Sequence, residues 1–157
     1  MKVKIGKFPQ HWPWSNWLYE KFGYSPKQKV KVHIDKWDTW SMDHTLAPII
    51  LPMLKQLKET KHGAPYVESA DVPKELRINV HQKVAYKKDG TTDENFFKRW
   101  DWVMDEMIWA FEQKNKDNWM APYYEYNKWD RDAVKAEQER ISNGFRLFGK
   151  YYESLWD

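Results

Sequence analysis

A chain of 157 residues with no cysteine and a net charge of +3 has the length of one domain. It excludes disulfide, thiolate-metal and cysteine-nucleophile chemistry, which suits a reducing compartment. No run approaches the ~18 apolar residues of a membrane span, and the opening MKVKIGKFPQHW lacks the apolar stretch of a secretory signal.

Charge is uneven along the chain. Residues 1–62 carry 11 Lys against 5 acidic residues, residues 63–126 carry 9 basic against 12 acidic, and residues 127–157 balance at 6 and 6. The basic first third draws anions or forms a solvated face, but lacks the density of a dedicated nucleic-acid binder. The 11 Trp, 9 Tyr and 7 Phe supply either a core built from rings or a surface of binding rings.

In chain order, residues 2–8 alternate loosely and predict a short strand. Residues 9–26 form a Pro/Trp-rich connector, with a short helix from Trp14 to Phe22. Residues 28–35 are the clearest strand. Val30, Val32 and Ile34 face one way and Lys29, Lys31 and His33 the other, the pattern of a half-buried strand.

From Met42 to about His62, apolar residues recur at steps of three and four. This predicts a helix with Ser41 as N-cap, Asp43 at its positive end and lysines at the other, closed by Gly63 and Pro65. Pro48 and Pro52 each remove a backbone donor and predict a kink or a split. Residues 63–90 look like a long excursion, with a weak strand through Val80, Val84 and Tyr86 and a turn at Lys88-Asp89-Gly90.

The strongest helix runs from about Asp93 to Lys116. Thr91 and Glu94 have capping-box spacing. Its apolar face extends from Phe96 to Phe111, and Trp102 and Trp109 add a second stripe. A helix apolar on two sides is central or lies at an oligomer interface. An aromatic loop spans residues 117–127. The last helix runs from about Asp130 to Leu155, with Gly144 and Gly149 inside it as points of close packing or bending. The expected fold is α+β in a single domain, residues 1–157. A small N-terminal β element and Trp-rich segment occupy residues 1–40, and an aromatic-rich three-helix core with long loops occupies residues 41–157.

Three groups of residues carry possible chemistry. Asp38, Asp43 and His44, beside Asp35, lie at the junction of strand and helix. They are the candidates for a hard cation such as Mg²⁺ or Mn²⁺, with Asp105 and Glu106 as further ligands, although the spacing matches no metal motif. Asp101 and Asp105 share a face of the second helix, where Lys98 and Arg99 offer ordinary ion pairing. On the last helix, Arg140, Asn143, Arg146 and Lys150 recur at three- and four-residue steps beside Tyr151 and Tyr152. Guanidinium forks hold phosphate and rings stack on bases, a combination that suits a nucleotide. The sequence has no glycine-rich phosphate loop, no GxSxG and no HExxH.

Three blocks, HIDKWDTWSMDHTLAPIILPMLKQLKETKHGAP (33–65), ENFFKRWDWVMDEMIWAFEQ (94–113) and ERISNGFRLFGKYYESLWD (139–157), resemble a family of accessory proteins of tailed, myovirus-type bacteriophages, marine ones included. The blocks cover nearly half of the chain. Members look longer in the N-terminal part and between the second and third blocks. The family brings no established catalytic residues. The resemblance implies a phage protein acting in the host bacterial cytoplasm.

In that setting the expected function is non-catalytic binding of a small nucleotide-like anion, as in a sponge that sequesters an immune-signalling nucleotide. No cofactor is expected. Arg140, Arg146 and Lys150 hold phosphate, helped by Lys55, Lys61, His44 and Asn143. Trp40 and Tyr152 stack on the base, and the protein assembles with copies of itself. Two alternatives stay open. One is a metal-dependent phosphoesterase or nuclease built on the Asp/His cluster; the other is an inhibitor that binds a host enzyme through its Trp-rich surface.

Overall fold

The computed structural model describes residues 1–7, 14–116, 121–125 and 128–156. Residue 8 at the end of the first expected strand, residues 9–13 of the expected connector (9–26) and part of the aromatic loop, residues 117–120 and 126–127, lie outside the described residues. Elements follow in the order β1 (Lys2–Ile5), α1 (Ser15–Phe22), β2 (Val30–His33), α2 (Met42–Thr60), α3 (Val80–Asp89), α4 (Phe96–Lys114), β3 (Tyr124–Glu125), β4 (Lys128–Trp129) and α5 (Arg131–Lys150), with short 3-10 turns between and after them. This is the expected α+β fold, a helical core with a small N-terminal sheet. The chain divides into two compact units, Met1–Thr45 and Leu46–Asp157.

In the first unit β1 and β2 pair antiparallel, with Lys2 opposite His33, Val3 opposite Val32, Lys4 opposite Lys31 and Ile5 opposite Val30. Period-two alternation therefore gives the pair one aliphatic and one basic face. The expected half-burial is corrected: every residue of β2 is exposed, Val30 and Val32 by more than half. Helix α1 ends at Gly23, which takes the left-handed conformation (φ 62°) and donates its N–H to the Tyr19 carbonyl. A side chain there would be strained, which is why glycine closes this helix.

The second unit is built on three helices. Ala47 and Leu54 of α2 join Trp100, Val103, Met104, Met107, Ile108 and Phe111 of α4 and Leu147 of α5 in one core, which Val67, Val72 and Tyr151 complete. Helix α4 contributes half of these residues, so its two-sided apolarity is that of a central helix. Helix α5 approaches it closely at Gly144. A methyl group there would overlap the Ala110 side chain and lie 2.6 Å from the Glu106 carbonyl oxygen. Gly149 has open space around its Cα and no such role.

Four expectations are corrected. Helix α2 runs as one element through Pro48 and Pro52, which overturns the expected split. Both prolines are exposed, as is His44, so the His44 and Pro48 carbonyls that lose an intrahelical donor belong to the solvent side of the helix. The weak strand at Val80–Tyr86 is helix α3. Asn79 and Gln82 form a reciprocal capping box at its start, and Gly90 closes it with φ 76°. Tyr86 stacks between Tyr66 at 4.9 Å and Phe96 at 5.8 Å. Thr91 and Glu94 do not cap α4: Thr91 hydrogen-bonds Asp89, and α4 begins after Asn95. Finally, α5 stops at Lys150 and the chain continues as a 3-10 turn, Tyr152–Ser154.

Candidate functional site

The nine residues expected to hold a ligand divide between the units. Trp40 and His44 belong to the first; Lys55, Lys61, Arg140, Asn143, Arg146, Lys150 and Tyr152 belong to the second. In the first unit, Trp37, Trp40, Ser41, His44 and Thr45 line a shallow depression of about 510 Å³. The two indoles lie 6.1 Å apart and tilted by 51°, and Trp40 is 82% exposed.

In the second unit the cations are engaged by carboxylates. Lys55 pairs with Glu112 at 2.6 Å, Lys58 with Asp105, and Lys61 with Asp101 at 2.6 Å. This ladder joins α2 to α4 and accounts for the carboxylate face of α4. Its pairs are partly exposed, and pairs of that kind contribute between zero and about 1 kcal/mol each. Arg140 grips Glu106 with two hydrogen bonds of 3.0 and 2.7 Å, and its guanidinium lies 3.9 Å from the centre of the Trp109 ring. The charged hydrogen bond to Glu106 raises the Arg140 pKa.

Arg146 and Lys150 meet on a residue that sequence reasoning missed. Asp71, buried in the 3-10 turn Ser69–Asp71, accepts from Lys150 Nζ at 2.6 Å and from the Tyr151 hydroxyl at 2.7 Å, and pairs with Arg146 at 2.8 Å. Lys150 also reaches Glu68 at 2.7 Å, and the Glu68 N–H donates to the Tyr151 oxygen at 3.0 Å. Burial alone raises the Asp71 pKa; the hydrogen bonds from Lys150, Tyr151 and Arg146 outweigh it and hold the carboxyl below its ordinary range. Tyr151 is pushed up to about 12, first by burial and then by its bond to Asp71. Hydrogen bonds to Asp71 and Glu68 raise Lys150. Arg146 also donates twice to Asn143 Oδ1, at 3.0 and 2.9 Å.

A second missed pair is Arg99 with Asp93. Both side chains are almost wholly buried. Arg99 donates to Asp93 and, at 3.1 Å, to the Leu76 carbonyl, while its Nε has no partner. This arrangement ties the loop before α4 to the helix itself.

The second unit has a groove of about 870 Å³ between α2 and the end of α5. Ile50, Met53, Leu57, Phe148, Tyr152 and Leu155 supply apolar walls, and Gln56 and Thr60 supply polar groups. Edge-to-face rings lead into it: buried Phe111 contacts Phe148 at 5.0 Å, and Phe148 contacts Tyr152 at 5.7 Å. Tyr152 is 64% exposed, so the ladder fixes one side of a ring whose other side is open.

The expected acidic metal cluster is not assembled. Among the described residues, no three His, Asp or Glu side chains gather as a cation site. Asp38 accepts the Asp35 N–H at 2.8 Å and the N-terminal ammonium at 2.6 Å, a turn-forming role. His44 lies 3.8 Å from its neighbour Asp43, and both are half-exposed. Asp105 and Glu106 are held by Lys58 and Arg140. No helix among the described residues is long and apolar enough to cross a membrane. No protein-family model, curated protein or solved structure matches the chain.

Proposed function

We propose that this chain works by binding rather than by catalysis, and that the groove between α2 and α5 takes a small nucleotide-like ligand. The observation that carries the reading is the ring ladder ending on Tyr152. It leaves one aromatic face open above a cavity of about 870 Å³, a volume in the range of small-molecule sites. A base stacks on Tyr152, Gln56 and Thr60 offer hydrogen bonds to its edge, and the aliphatic wall of α2 covers its other face.

Phosphate is assigned to Lys150 and Arg146, which lie outside the groove's lining and two residues either side of Phe148, on another face of α5, so the ligand reaches them around the end of that helix. Reaching them does not require breaking the buried pair with Asp71. The Glu68 side chain is 59% exposed, and a surface pair of that kind is displaced at a cost of about 1 kcal/mol or less. Arg140, Lys55 and Lys61 serve the fold in this reading and are released from ligand binding. Resemblance to phage accessory proteins extends the proposal to sequestering an immune-signalling nucleotide in a host bacterium, with a homo-oligomer completing the site.

Thermal denaturation with adenosine, ADP-ribose and a cyclic dinucleotide tests this. A bound ligand at 100 times its Kd adds about 2.7 kcal/mol of stability. The expected result is a rise in Tm with the two phosphate-bearing ligands that Tyr152→Ala abolishes. No shift with any of the three sinks the proposal, and an equal shift with adenosine removes the phosphate part of it.

A further inference from the structure

The lysines of the β1–β2 pair gather on one face. Lys4 stands directly opposite Lys31, and Lys2 opposite His33. The Gly6 N–H donates to the Lys29 carbonyl at 2.9 Å, which continues the pairing and brings Lys29 to the same face by alternation. Among the described residues no carboxylate pairs with Lys2, Lys4, Lys29 or Lys31. Like charges directly opposite one another destabilise a two-stranded sheet, so this arrangement weakens the element that carries it. Over residues 1–45 there are 8 Lys and 4 acidic residues, and the acidic end of the unit is occupied: Asp38, near His33, is held by the N-terminal ammonium.

The same unit exposes its rings. Trp37 and Trp40 are 64% and 82% exposed and share the walls of the depression with His44. The Lys36 ammonium sits 5.0 Å from the Trp37 ring centre, which sets a cation beside a stacking surface.

We propose that the first unit is a binding surface for single-stranded nucleic acid, with phosphates tracking the Lys2–Lys4–Lys29–Lys31 face and unpaired bases stacking on Trp37 and Trp40. Exposed rings on the same unit as a row of lysines are what an unpaired polynucleotide recognises. Duplex bases are already stacked and cannot use the indoles. An anionic bilayer also takes an element whose apolar and basic groups occupy opposite faces, as the valines and lysines do here, so vesicle binding is the competing outcome that the test separates. The sequence pattern hid this surface because it spreads the lysines over 30 residues, and only the register of β1 on β2 gathers them.

Fluorescence anisotropy of the full chain with fluorescein-labelled oligothymidylate, measured across a salt series, tests it. Four phosphate contacts on a single strand give a slope of log K against log salt of about −2.8. Lys4→Glu weakens binding about ten-fold or more. It also lowers the slope by about 1.4, because the new carboxylate engages Lys31 as well and two phosphate contacts are lost. Circular dichroism and Tm establish that this variant stays folded, since the substitution replaces a repulsive cross-strand pair by an attractive one. Trp37→Ala with Trp40→Ala weakens binding and leaves the slope unchanged. No anisotropy change at low salt overturns the proposal, as does a Lys4→Glu variant that binds like the wild type. Equal affinity for a duplex of the same length overturns the single-strand assignment. Sedimentation with phosphatidylserine vesicles, with no binding of the oligonucleotide, assigns the face to lipid instead.

Discussion

The two units treat the same residue types in opposite ways. In the second, the core rings are interior and edge-packed: Trp100 is 1% exposed and meets Tyr151 edge-on at 5.7 Å, and Phe111 contacts both Phe145 and Phe148, while Phe97, Tyr152 and Trp156 at its surface stay more than half exposed. The cations of the α2–α4 ladder and those around Asp71 are closed by carboxylates. In the first, Trp17, Tyr19, Phe22, Trp37 and Trp40 are all more than half exposed, and the lysines of the strand pair face one another. Aromatic residues therefore serve as interior mass in the core of the second unit and as outward surface in the first. Composition alone cannot separate the two uses. A charge paired inside the fold, as on the α2–α4 ladder, contributes to stability, whereas the strand-pair lysines, which no carboxylate pairs among the described residues, remain available to a ligand.

The largest expected effect lies where the second unit is tightest. Gly144→Ala places a methyl group against Ala110 and 2.6 Å from the Glu106 carbonyl oxygen. Backbone cannot yield as a side chain can, so the loss is about 3 kcal/mol, the upper end of the overpacking range, despite the better helix propensity of alanine. Gly149→Ala, with nothing within 4 Å, gains about 0.5–1 kcal/mol from propensity instead. Urea denaturation of the two variants checks the pair. Equal behaviour at both sites would mean that α4 and α5 do not meet closely at Gly144.

Next in size is the buried carboxylate. Asp71→Asn keeps the shape but removes the charge that Lys150 and Arg146 share, at a cost of roughly 2 kcal/mol at pH 7. The Asp71 pKa is lowered in the folded protein, so its contribution is present above about pH 3.9, the ordinary carboxyl value, and is lost as pH falls below that. Wild type and variant therefore converge in acid. On the alkaline side, Lys150 and Tyr151 both titrate higher than usual. Their contribution is complete below about pH 10 and is lost as pH rises from there towards the Tyr151 value of about 12. Denaturation midpoints measured from pH 3 to pH 11 report both limbs.

What the sequence disclosed follows from range. Helices α2, α4 and α5 announced themselves because a 3.6-residue period is local. The strand pair did so because Val30, Val32 and Ile34 alternate with Lys29, Lys31 and His33. Helix α3 was hidden: its only strong signals are the Asn79–Gln82 box and Gly90, while Val80, Val84 and Tyr86 mimic a strand. Pro48 and Pro52 pointed to a break that an exposed helix face tolerates. At the candidate site, Arg140, Asn143, Arg146 and Lys150 were legible as a row on one helix, with Tyr152 close by. The counterpart of Arg146 and Lys150, Asp71, was not, since it lies 75 and 79 residues away from them in a three-residue turn with no periodicity. The one hint was the row itself, because two cations beside Tyr151 call for an acid.

The smallest expected effect separates the two units most directly, because it compares one charge change in each. Lys58 of α2 is engaged by Asp105, and both side chains remain partly exposed. Lys58→Ala should cost no more than about 1 kcal/mol, and added salt should narrow the difference from wild type, since screening weakens exposed pairs. Lys4 faces Lys31, so Lys4→Glu should do the reverse and stabilise the strand pair by about 0.2–1 kcal/mol, again less so at high salt. Amide hydrogen exchange of residues 2–5 and 30–33 reads the second change locally, where a global melt would miss it. Opposite signs at these two lysines follow only if one unit has used its charge to hold itself together and the other has left it open. A loss at both sites would mean that Lys4 already has an internal partner, and the basic face would then belong to the fold rather than to a ligand.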